Sequence, residues 1–145
     1  KEALDEALCF GWIDGQSKSL DDKAYLQRFT PRRKRSPWSQ INTQKVAVLL
    51  QEGRMHESGL KQIEEAKADG RWDRAYAPPS SMEVPEDFIA ELKKTLDAYN
   101  FFNSLNKMNR YSIAYNLHTA VKPETRARRF EKYLTMMIKG EKVYG

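Results

Sequence analysis

The sequence predicts an α+β chain that is mostly helical. A small antiparallel β element near the N-terminus packs on a helical hairpin, and an all-α unit follows. Three observations lead there. Apolar residues recur at helical spacing over most of the chain, one stretch near the N-terminus alternates as a strand does, and a Pro-Pro-Ser-Ser tract at 78–81 interrupts both patterns. The 145 residues suffice for one domain, or for a small domain with a helical appendage. With 40% hydrophobic and 31% charged residues, the composition is globular and excludes the disordered and fibrous classes.

Glu2 to Phe10 sets Ala3, Leu4, Ala7, Leu8 and Phe10 along one stripe, and Gly11 can end that helix. Trp12–Lys18 and Lys23–Phe29 then read as the strands of a hairpin whose turn is acidic, Asp21-Asp22. The second run alternates Ala24, Leu26 and Arg28 against Tyr25, Gln27 and Phe29, as a half-buried strand would. Thr30 to Pro37 contains two prolines and four consecutive basic residues and is expected to be an exposed loop. Ser39 can cap a helix from Gln40 to Glu52, with Ile41, Val46, Val48, Leu49 and Leu50 on its apolar side and Gly53 at its end. A second helix, about Ser58 to Ala68, buries Leu60, Ile63 and Ala66 and completes a helical hairpin.

Because the 78–81 tract cannot continue a helix, the chain is expected to divide into units 1–77 and 85–145. In the second unit Pro85 opens a helix burying Phe88, Ile89, Leu92 and Leu96. Asp97 caps a short helix through Phe101, Phe102 and Leu105, and Asn109 caps another carrying Ile113, Ala114 and Leu117. Pro123 starts the last helix, whose stripe of Ala127, Phe130, Leu134, Met137 and Ile138 ends at Gly140. Arg126, Arg128, Arg129 and Lys132 flank that stripe. A membrane-surface helix has this pattern too, but docking on the preceding helices is the expectation.

The net charge of +5 is unevenly spread: residues 1–22 hold two basic and six acidic groups, residues 23–76 twelve and six. A positive field in the middle of the chain favours phosphates, acidic surfaces or anionic small molecules. The longest apolar run, Val46 to Leu50, is far below the roughly 20 residues of a membrane span. His56 and His118 have no Cys, Asp or Glu at ligand spacing, so neither a metal nor another cofactor is expected. Phosphate-loop, dinucleotide and serine-elbow motifs are absent, which favours a binding protein over an enzyme. The lone Cys9 reads as a small buried hydrophobe and is compatible with a reducing compartment. The expectation is a cytoplasmic protein, or a periplasmic one if a signal peptide precedes Lys1.

Two clusters combine cations with indoles. The first holds Trp12, Asp14, Arg28, Arg32, Arg33 and Trp38; the second, following the helical hairpin, holds Arg71 and Trp72. Planar guanidiniums beside aromatic rings suit a phosphate, a carboxylate or a stacked base. Trp12 and Asp14 share parity on one strand, Arg28 leaves the next, and the proline-bounded loop returns towards them, so an anion-binding surface is expected at the open end of the hairpin. The plain structural alternative stays open: core tryptophans, a turn at Asp14-Gly15 and a solvated basic loop. An open basic stripe would instead favour weak, non-specific nucleic-acid binding.

The stretches Ala-Leu-Cys-Phe-Gly-Trp-Ile-Asp-Gly-Gln (7–16), Arg-Phe-Thr-Pro-Arg-Arg (28–33), Trp38-Ser39, Gly53-Arg54-Met55 and Ala-Lys-Ala-Asp-Gly-Arg-Trp (66–72) resemble the YdeI/OmpD-associated family of bacterial proteins. Asn-Arg-Tyr (109–111) and Lys-Pro-Glu-Thr-Arg-Ala-Arg-Arg (122–129) resemble that family's helical tail. The resemblance implies a YdeI-like front unit and a stress-associated binding protein linked to bacteriocin protection and antimicrobial-peptide resistance. Its implied partner is an envelope protein, and no enzymatic activity is implied. It also implies a further N-terminal segment, with a tryptophan and lysine-rich strand sequence, ahead of Lys1. The alternatives are an enzyme or sensor for an anionic small molecule, and a non-specific nucleic-acid binder.

Overall fold

A computed structural model describes residues 2–145 and divides the chain into two compact units, Lys1–Ala75 and Tyr76–Gly145. The first contains α1 (Glu2–Cys9), β1 (Trp12–Ser19), β2 (Tyr25–Pro31), α2 (Gln40–Gln51) and α3 (Glu57–Ala68). The second contains α4 (Glu86–Leu92), α5 (Leu96–Ser104), α6 (Lys107–His118) and α7 (Pro123–Lys139). The fold is α+β and mostly helical, with a two-stranded antiparallel sheet packed on helices and an all-helical second unit.

In the first unit α1 stops because Gly11 takes a left-handed φ of 78°, which turns the chain into β1. The strands pair Trp12 with Pro31, Asp14 with Phe29 and Ser17 with Gln27, and the register is irregular between Asp14 and Ser17. Asp21 closes the hairpin, its carboxylate accepting the backbone N–H groups of Lys23 and Ala24 at 2.8 and 2.9 Å. The second strand is half-buried only in its latter part: Tyr25 and Leu26 are 65% and 56% exposed, while Gln27 and Phe29 are half-buried on either side of the exposed Arg28. Ile13 of the ribbon packs on the core of Leu8, Cys9, Trp38, Val46, Leu49, Ile63 and Ala66, and the β2 face carrying Gln27 and Phe29 is only partly covered.

Ser39 caps α2, its hydroxyl accepting the N–H of Asn42 at 3.1 Å. The helix buries Asn42, Val46 and Leu49, while Ile41, Val48 and Leu50 are exposed. The reason is spacing: 42, 46 and 49 share one face, and the other three apolar residues lie off it. On α3 the buried set is Gly59, Ile63 and Ala66, and Leu60 faces outward. α1 lies against both helices, so what was expected as a simple hairpin of α2 and α3 is organised around α1. The 30–37 segment also departs from an exposed loop, since Thr30 and Pro31 extend β2 and Arg32 is buried.

In the second unit α7 packs on α4, α5 and α6 around Phe88, Leu92, Phe102, Ile113, Leu117 and Met137. Leu96 begins α5 instead of completing α4 and is 70% exposed. Asp97 lies in the first turn of α5, and the cap position is Thr95. Asn106, not Asn109, caps α6, its side chain accepting the N–H of Asn109 at 2.9 Å. The buried Asn109 instead pins the C-terminus, its carbonyl oxygen accepting the N–H of Tyr144 at 2.8 Å. α7 begins at Pro123 and ends at Gly140, which is left-handed with φ 68°. Of its expected stripe, Met137 is buried and Phe130 and Leu134 pack on the core, but Ala127 and Ile138 are exposed and Tyr133 is buried beside them. Arg126 pairs with Asp87 at 2.8 Å and ties α7 to α4.

α3 comes close to the end of α1 at Gly59. A Cβ on Gly59 would stand 2.2 Å from the carbonyl oxygen of Cys9, the same oxygen that accepts the N–H of His56 at 3.0 Å. In an exposed helix interior Gly→Ala gains up to about 1 kcal/mol. Here Gly59→Ala should destabilise by roughly 1–3 kcal/mol, the cost of overpacking. Urea unfolding checks this, and a stabilised variant would contradict the packing described.

Candidate anion-binding surface

The two basic-aromatic clusters of the sequence meet in the first unit. Arg32 is drawn inward as β2 ends: its N–H donates to the carbonyl of Gly11 at 3.0 Å. Its guanidinium carbon lies 3.5 Å over the Trp38 ring centroid, and its Nη1 donates to the carbonyl of Pro37 at 3.2 Å. Trp38, 2% exposed, meets Trp72 with ring centroids 4.9 Å apart and planes inclined by 57°. Arg71, next to Trp72, reaches back to donate from Nη1 to the carbonyl of Ser36 at 3.0 Å.

Asp69 aims Arg71. Its carboxylate accepts the Arg71 Nε at 2.7 and 2.9 Å and the Arg71 backbone N–H at 3.1 Å. The Arg71 guanidinium holds the Asp69 carboxyl below its ordinary value. A depressed carboxyl contributes to the fold above its unfolded pKa of about 3.9, and that contribution is lost as pH falls through the folded value. Gly70, left-handed with φ 77°, lets Arg74 fold closely over this turn, where Arg74 Nη2 donates to the Asp69 carbonyl at 3.1 Å.

Between these two anchors the chain makes a tight turn. The Arg33 N–H donates to the Ser36 hydroxyl at 3.0 Å, and the Ser36 N–H returns to the Arg33 carbonyl at 2.9 Å. Arg33, Lys34 and Arg35 project from it, all exposed, and none of the ion pairs among the described residues engages them.

Of the residues singled out from sequence, the fold thus gathers Arg32, Trp38, Arg71 and Trp72, and places Arg33 on the turn they support. The rest are not gathered. Trp12 and Asp14 face one side of the ribbon with their partners Pro31 and Phe29. Arg28, one residue from Phe29, faces the other side, because successive strand residues point to opposite faces. Ser36 and Asp69 escaped notice as functional residues. Their signals were a hydroxyl three residues after Arg33 and a carboxylate two before Arg71, both common local turn chemistry.

Chemically, Arg71 and the Nη1 of Arg32 are occupied with backbone carbonyls under a closed aromatic pair, so this cluster acts as a clamp on the turn. The Nη2 of Arg71 and the Nε1 of Trp38 are buried and make no hydrogen bond among the described residues. Burial pushes the Cys9 thiol up, which disfavours a thiolate there. No group of His, Cys, Asp and Glu among the described residues is arranged to hold a metal ion, and no helix is long and apolar enough to cross a membrane.

Comparison with known families divides the chain in a similar way. Residues 81–140 match the family described as Bacteriocin-protection, YdeI or OmpD-Associated. The C-terminal unit is similar to that family over this segment. Residues 1–62 match a second family, described as a domain of unknown function (DUF8412). The sequence motifs at 109–111 and 122–129 lie within the YdeI/OmpD-associated segment, and those at 7–16, 28–33, 38–39 and 53–55 lie within the other. No curated protein matches the chain, and no solved structure does.

If the clamp holds the turn, Arg71→Ala frees Ser36 and should expose the Arg33–Arg35 bonds. Brief trypsin digestion of the folded protein should then cut there several-fold faster than in the parent. An unchanged rate of that first cut would show that Arg71 does not restrain the turn.

Proposed function

We propose that the protein is a protection-associated binding protein whose first unit docks on an acidic partner surface through Arg33, Lys34 and Arg35. The observation that carries this reading is the clamped turn itself: three consecutive exposed cations, without carboxylate partners among the described residues, on a backbone fixed from both sides. Fixing the backbone lowers the ordering cost of association, and the like charges raise the encounter rate with an anionic surface. The description of the second unit's family, bacteriocin protection and OmpD association, supports an envelope protein as the partner.

A pocket for an anionic small molecule at the Trp-Arg cluster is the weaker reading. The Nη1 and Nε of Arg71 are engaged by Ser36 and Asp69, its Nη2 is buried, and Trp38 is closed over by its neighbours. A nucleic-acid surface is weaker too, since the turn offers phosphate contacts and no element of a size to enter a groove.

An acidic synthetic peptide serves as the probe. Replacing Arg33, Lys34 and Arg35 together by alanine should weaken its binding at least tenfold at low salt, whereas replacing the exposed Lys139 and Lys142 should leave it unchanged. Equal binding by the triple variant would refute the assignment. Duplex DNA bound more tightly than the peptide, and surviving about 0.2 M salt, would move the reading to nucleic acid.

A further inference from the structure

The second unit carries a groove that the basic turn does not use. It has a volume of about 370 Å³, and Val84, Ile89 and Phe102 line its apolar side. Lys107, Arg110 and Tyr111, from the first turns of α6, stand at its rim, and Glu83 is the one carboxylate among the lining residues. The size lies at the low end of the roughly 300–1,000 Å³ typical of small-molecule sites.

The rim is electrostatically unusual. α6 has no acidic residue in its first turn and places Lys107 and Arg110 there instead. Cations at a helix N-terminus oppose the helix dipole, so an anion bound beside them relieves two unfavourable terms at once. Both side chains are exposed, and neither enters an ion pair among the described residues. Tyr111 adds a phenol O–H, protonated at neutral pH as any tyrosine is and able to donate.

The geometry points to a binding site for one single-chain carboxylate amphiphile, its acyl chain on Val84, Ile89 and Phe102 and its carboxylate between Lys107 and Arg110. A groove of this size has room for one short acyl chain. The two cations outnumber Glu83 and select an anionic head. This site is independent of the turn at Arg33–Arg35, and either can fail without the other.

Decanoate, kept well below its micelle-forming concentration, is the probe, with amide NMR of the whole 145-residue chain as the readout. Saturable shifts should appear at residues 79–84 and 107–111, and decanol, with the same chain and no charge, should bind at least tenfold more weakly. Lys107→Ala with Arg110→Ala should weaken decanoate about tenfold while leaving the remaining amides in place, and Lys122→Ala should have no effect. Equal binding of decanol and decanoate, or binding indifferent to Lys107 and Arg110, would overturn the proposal. So would saturation of the same amides by an acidic peptide and not by decanoate, which would make the groove a protein-docking site.

Discussion

The Arg32 guanidinium lying 3.5 Å over the Trp38 ring is the contact on which the basic turn of the first unit depends. A cation desolvated on an indole face contributes about 2 kcal/mol, more than an exposed ion pair, because neither partner keeps its water. The same arginine ties the end of β2 to Gly11 through its backbone and to Pro37 through Nη1. Three parts of the unit therefore meet at one residue: the exit of α1, the end of the ribbon and the entrance to α2. Trp38 in turn is a core residue against Trp72, so the stack is anchored in the same cluster that holds α1, α2 and α3.

Charge makes that anchoring matter. Three cations in succession repel one another, and left alone the 33–35 segment would spread to separate them. Arg32 restrains it from one end and Arg71 from the other, each by donating to a carbonyl of the turn's return limb. Asp69 keeps Arg71 pointed at Ser36 and neutralises its charge, while Arg33, Lys34 and Arg35 stay in solvent without an ion pair among the described residues. The second unit uses its cations differently. Arg126 is paired with Asp87, Arg129 donates to the Asn116 carbonyl, and Lys107 and Arg110 stand beside an apolar groove. The proposed acidic partner surface draws on the first arrangement and the proposed amphiphile site on the second.

Much of the architecture was legible because local chemistry and tertiary packing agree. Ser39 before Gln40, Pro123 at a helix start and Gly11, Gly70 and Gly140 after helix ends mark boundaries by backbone physics alone. Asn109 was misread as a cap because an asparagine before an apolar run fits that role, and Asn106 three residues earlier fits it as well. Ile41, Val48 and Leu50 were assigned to the buried side because composition does not say which face meets a neighbour. That is decided by where α1 lies. At the candidate site, the residue types were readable and their roles were not. Arg32 and Arg33 are adjacent and identical in chemistry, yet one is 7% exposed and stacked while the other is in solvent. Only the register of β2 and the position of Trp38 separate them. Arg28 was placed with Asp14 by proximity in the hairpin, and strand alternation puts it on the opposite face.

The most direct test of the clamp separates charge from its positioning. Arg71→Ala keeps Arg33, Lys34 and Arg35 and removes the bond to Ser36 together with the pair to Asp69, whose own removal in an added Asp69→Ala, Arg71→Ala variant cancels the freed negative charge. Titration of the acidic peptide into the double variant and into the parent, across a range of salt concentrations, compares the two. A positioning role gives several-fold weaker binding with an unchanged salt slope, since the slope reports the number of cations engaged and the affinity reports how well they are held. Identical affinity in the two proteins would show that the cations act as a flexible charge cluster, and the role assigned to the Arg32, Trp38 and Arg71 scaffold would be wrong.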